Sequence, residues 1–132
     1  MLGELEVDSR VVISDLEAGV GTLVRMQPGQ ADVVLVIVEP SAKSVEAARR
    51  ACDIADSRSR VVLVANRIVD DTDLERIRGV LGDREMVVVP DDPAITKADR
   101  DGVAPIDAAP DSPGVGAIVA LARRIAEPAA HA

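Results

Sequence analysis

Apolar residues gather into four short unbroken runs, at 11–14, 33–38, 61–65 and 86–89, rather than alternating with polar ones. A run that is apolar at successive positions suits a strand whose sheet is covered on both faces, so each reads as a buried β-strand. Between the runs the period changes to that of a helix. Val45, Ala48, Cys52 and Ala55 form one stripe within 41–55, and Leu74, Ile77, Val80 and Leu81 form another within 71–81. Asp70 to Asp73 offer N-terminal caps to the second of these helices. A last helix is expected over 115–126, after the proline-rich stretch 105–113.

Strands that alternate with helices require right-handed crossovers, which make the sheet parallel. The expected fold is therefore α/β, three layers, with four parallel strands ending near Asp15, Glu39, Asn66 and Pro90 and helices on both faces. In such sheets ligands bind beyond the carboxyl ends of the strands. Those ends carry Asp15, Glu39-Pro40-Ser41, Asn66-Arg67 and Pro90-Asp91-Asp92, so polar residues collect where a site belongs.

Composition narrows the picture. At 132 residues the chain fits one domain, expected over 1–127, with a disordered tail at 128–132. It contains no Phe, Tyr or Trp, so the core is built from Val, Ile, Leu and Ala, and no stacking platform exists for single-stranded nucleic acid. A net charge of −8 disfavours contact with the phosphates of a duplex, so nucleic acid is not expected as a partner. Cys52 has no second cysteine to pair with, and its small apolar neighbours mark it as a buried structural residue. His131 falls in the tail and is read as part of a loose terminus. No stretch reaches the ~20 apolar residues of a membrane span. The first ten residues lack a basic region followed by an apolar one, so a cytoplasmic protein with no membrane contact is expected.

Four motifs occur in order along the chain, each at a strand end: "VVISDLEAG", "VVLVIVEPSAKSVEAARR", "VVLVANR" and "VVVPDDPAITKADRDGVAP". Together they resemble the carboxy-terminal part of MinD/ParA-type ATPases, a deviant branch of the phosphate-loop NTPases. Within that group they look most like the CooC-type maturation ATPases of nickel carbon-monoxide dehydrogenase. The resemblance implies a partial, Rossmann-like NTPase fold and a set of inherited roles. Asp15 would be the switch aspartate that approaches magnesium through water, and Gly19 the switch glycine whose N–H faces the terminal phosphate. Asn66, with Arg67 beside it, would hydrogen-bond the adenine edge. Pro90 and Asp92 would line the other side of the base. Where CooC-type proteins carry Glu-His after the Ala-Gly and one further residue, this chain has Gly21-Thr22, so a metal-linked role resting on that pair is not expected.

A phosphate loop needs glycines leading into Gly-Lys-Ser/Thr, whose amides cradle the phosphates while the lysine neutralises charge. The two lysines here are Lys43 in "PSAKS" and Lys97 in "AITKADR", and neither follows a glycine loop. The expected activity is thus weak binding of ATP or ADP, with magnesium, or binding of a protein partner, without hydrolysis by this chain alone. The alternative is a scaffold module that binds no nucleotide, or the carboxy-terminal piece of a split ATPase.

In the family the phosphate-loop strand separates the strand ending at Asp15 from the one ending at Glu39. Without it, three arrangements are open: direct pairing of 11–14 with 33–38, a homodimer, or a strand from the missing N-terminal half. Direct pairing carries the smallest entropic cost.

Overall fold

The computed structural model describes residues 10–16 and 21–126. Their elements run α1 (Gly21–Arg25), β1 (Val33–Val38), α2 (Ala42–Ala55), β2 (Arg60–Ile68), α3 (Asp71–Leu81), β3 (Met86–Pro90), α4 (Pro93–Asp101), α5 (Pro105–Ala108) and α6 (Pro113–Ala126). The three strands form one parallel sheet in the order β1-β2-β3, each joined to the next through a helix. The parallel α/β reading therefore holds.

One expected strand is absent. Residues 11–14 adopt no strand, and Val11 and Ile13 are 70% and 82% exposed. The expected direct pairing of this segment with β1 does not occur. Extended backbone of four residues has no internal hydrogen bonds, so apolar composition cannot hold it in strand form without a neighbouring ladder.

Alternation of side chains across the sheet builds two cores. On one face Val36, Val38, Leu63, Ala65 and Ile68 pack with Val45, Ala48 and Cys52 of α2 and Ile77 and Leu81 of α3. On the other, Val62, Val64 and Val89 pack with Leu121 of α6. β2 is central, so four successive residues, Val62–Ala65, are buried, as the unbroken apolar run predicts.

The helices start where their caps place them. The Ser41 hydroxyl accepts from the Ser44 N–H at the head of α2, and the Asp70 carboxylate accepts from the Asp73 N–H at the head of α3. The Ser44 hydroxyl in turn accepts from the Glu39 N–H at 2.9 Å, tying the end of β1 to the first turn of α2. α4 has Asp92 as its N-cap, Pro93 in its first turn and Gly102 in the left-handed conformation (φ 69°) at its end. Proline fits there because the N–H it lacks would have no helical partner.

Candidate functional site

The carboxyl ends of the three strands bring Glu39, Asn66, Arg67, Pro90, Asp91 and Asp92 to one edge of the sheet. Asn66 and Pro90 are half-buried, while Glu39, Arg67 and Asp91 are exposed. The geometry turns on an irregularity in β2. Ala65 pairs with Val88 and Ile68 with Pro90, so β2 holds one residue more than β3 over this interval. Arg67 takes a positive φ of 59°, in a region that non-glycine residues seldom occupy.

The extra residue has a packing reason. Without it, strict alternation would send Ile68 to the face opposite Ala65. With it, Ile68 returns to the α2–α3 core beside Ala65 and is buried. The Ile68 carbonyl also accepts from the Asp91 N–H at 2.9 Å, fixing the turn that follows β3.

The same bulge aims the Arg67 side chain along the strand ends. Its Nη1 lies 3.6 Å from Glu39 Oε1, at the end of β1, and its Nε lies 3.6 Å from Asp91 Oδ1, just beyond β3. Both contacts are long and exposed, so they orient the guanidinium with little energy and leave it open to an anionic or planar ligand. Asn66, one residue before the bulge, supplies an amide that both donates and accepts, as reading a heterocycle edge requires.

Asp92 is engaged differently. It is 8% exposed, and its carboxylate accepts from the Ala94 N–H at 2.9 Å and the Gly114 N–H at 2.8 Å. One side chain thus caps the first turns of both α4 and α6. The Gly114 N–H, then the Ser112 hydroxyl and the Ala94 N–H, hold this carboxyl below the ordinary aspartate range. The fit is close: a Cβ at Gly114 would stand 2.7 Å from Ile95 Cδ1 and 2.9 Å from both Asp92 Cβ and Oδ2. Sequence reading did not single out Gly114. Asp92-Pro93 does carry a legible signal, that of an N-cap followed by proline.

The switch-side residues stand apart in the chain from these strand ends. Asp15 is exposed, in the segment that forms no strand, and Gly19 lies outside the described residues. Among the described residues no three His, Cys, Asp or Glu side chains group as metal ligands. Lys43 and Lys97 lie on α2 and α4, with Lys97 paired to Asp101 of its own helix at 2.6 Å. A groove of about 380 Å³ between α2 and α3, lined by Ser41, Val45, Arg76 and Val80, contains neither Asn66 nor Arg67. No helix among the described residues is long and apolar enough to cross a membrane.

Comparison with described protein families finds no match. The chain is similar to an uncharacterized ATP-binding protein of Methanocaldococcus jannaschii, with 29% identity over 91 residues, covering 68% of this chain and 36% of that protein. Its structure is similar to the MinD cell division protein of Aquifex aeolicus. The TM-score is 0.58 at 24% identity, over 73% of this chain and 44% of the MinD chain. The 132 residues thus span less than half the length of either relative, and they share with MinD the α/β fold described above.

Proposed function

We propose that this chain is the base-recognising half of a MinD/ParA-like nucleotide-binding domain, taking the adenine end of ATP or ADP at the carboxyl edge of its sheet. In this reading Asn66 hydrogen-bonds the base, Arg67 lies against it, and Pro90 forms the opposite wall. Asp92 shapes that wall from behind by fixing α4 and α6. The observation that carries the reading is the bulge at Arg67. A non-glycine residue held at positive φ stores backbone strain, and such strain collects where a side chain must be aimed at a ligand. The similarity to an ATP-binding protein supports it.

The sequence offers no glycine loop with a lysine for the phosphates. Base contacts alone are worth about 4 kcal/mol, a millimolar dissociation constant. Magnesium-assisted hydrolysis is not expected of these residues alone, and a CooC-type maturation role is not supported by any feature of the edge. Amide chemical-shift titration with ATP, ADP and inorganic triphosphate tests the reading. Adenine nucleotides should shift Asn66, Arg67 and Asp91, triphosphate alone should not, and Asn66→Ala should abolish the response. Equal shifts with triphosphate, or shifts confined to the α2–α3 groove, would refute it.

A further inference from the structure

Asp91 stands just past β3, beside Arg67 at the carboxyl edge, with its side chain 45% exposed. Its backbone is fixed, because the N–H donates to the Ile68 carbonyl at 2.9 Å and ties it to the end of the neighbouring strand β2. Its carboxylate is held far less firmly. The approach of Arg67 Nε to Asp91 Oδ1 is 3.6 Å, longer than the roughly 2.7–3.2 Å of an N–H···O hydrogen bond. An exposed ion pair of this kind is worth little, so a better donor can take the carboxylate from it. Arg67 need not leave the edge when that happens, since its Nη1 also faces Glu39 Oε1 at 3.6 Å.

Asn66 is the second polar side chain with capacity to spare. It is half-buried at the end of β2, and its amide has no hydrogen-bond partner among the described residues. An amide next to an open carboxylate does not suit the two purines equally. Adenine offers the N6 amine as donor and N1 as acceptor, which an amide alone can match, while a carboxylate beside N1 sets acceptor against acceptor. Guanine offers O6 as acceptor, then N1–H and the N2 amine as two donors side by side. The amide N–H of Asn66 suits O6, and a carboxylate with two oxygens suits the pair of donors. Hydrogen bonds to an ionised acceptor are roughly twice as strong as those between neutral groups. Guanine can therefore use both side chains where adenine uses one. Given a base at this edge, as in the function proposed above, we propose that Asp91 reads the N1–H and N2 amine of guanine. The edge then takes guanine nucleotides as well as adenine ones.

Amide chemical-shift titration with ADP, GDP, inosine diphosphate and xanthosine diphosphate tests this on the whole chain and on Asp91→Asn. That variant keeps the backbone bond to Ile68, and the cap of α4 belongs to Asp92. GDP should shift Asn66 and Asp91 and bind at least as tightly as ADP. Asp91→Asn should weaken GDP at least about tenfold through loss of a charged acceptor for two donors. It should leave ADP within about twofold, because the exposed pair with Arg67 contributes little. Inosine diphosphate, which lacks the 2-amino group, should bind the unaltered chain more weakly than GDP does. Xanthosine diphosphate, with an oxygen in place of that group, should bind Asp91→Asn more tightly than the unaltered chain, because the new amide donates where the carboxylate only accepts. A damaged fold cannot produce that gain. ADP bound at the edge without a response to GDP overturns the assignment and leaves the adenine site standing. So does GDP bound equally by both chains, or lost from Asp91→Asn without the gain in xanthosine diphosphate. Silence toward all four diphosphates overturns the base site itself, and the role of Asp91 with it.

Discussion

Replacing Gly114 by alanine separates two opposed effects whose sizes can be worked out beforehand. Glycine within a helix costs about 0.5–1 kcal/mol relative to alanine, so a Gly→Ala change in open space is stabilising. Gly116, two residues further along α6, is such a position, with nothing within 4 Å of its added Cβ. At Gly114 the Cβ would press on Ile95 Cδ1 at 2.7 Å and on Asp92 Cβ and Oδ2 at 2.9 Å. The isoleucine methyl ends a flexible side chain and can swing away. Asp92 Cβ cannot, because its carboxylate is held by the Ala94 and Gly114 N–H groups. Overpacking of this kind costs about 1–3 kcal/mol. The net expectation for Gly114→Ala is a loss of about 1–2 kcal/mol, against a gain of up to about 1 kcal/mol for Gly116→Ala. At this chain length that is a melting temperature lower by roughly 3–10 °C for the first variant, by calorimetry or circular dichroism. Gly114→Ala melting at or above Gly116→Ala would refute the claim that Asp92 joins α4 to α6 through a close backbone approach.

Arg67→Gly should release the strain at φ 59° and raise stability by about 0.5–1 kcal/mol in urea denaturation while weakening adenine-nucleotide binding; the two exposed ion pairs it removes are worth little. Asp92 has a depressed folded-state pKa, so its contribution is present above the ordinary aspartate value of about 3.9 and is lost as pH falls through the lower native one. Melting temperature should therefore fall on acidification in this range, and Asp92→Asn should flatten that limb. Burial pushes the Cys52 thiol up, so at pH 8 it should resist a thiol-specific disulfide reagent until the chain is unfolded. Asp70→Ala should cost about 1 kcal/mol by removing the cap of α3, read as a shift in denaturation midpoint at constant slope.

The sequence by itself determined the elements whose signal is local. β1, α3 and β3 lie within a residue of the runs and stripes that predict them, and α2 begins one residue after its Ser41 cap. Parallel pairing followed from alternation of strand and helix, and the collection of Asn66, Arg67, Pro90 and Asp92 at one edge followed from parallel pairing. α4 was missed because its few apolar residues make a faint stripe, although Asp92-Pro93 announced its start. What only the tertiary structure decided depends on neighbours. Residues 11–14 are as apolar as a strand but form none, because a strand is held by hydrogen bonds to another segment, and composition cannot say whether that segment is present. The bulge at Arg67 is equally invisible in "ANRI", since it arises from the need to return Ile68 to the α2–α3 core against β3. The double cap of Asp92 on α4 and α6 joins residues far apart in the chain, and nothing in "PDDP" or "SPGVG" names the other.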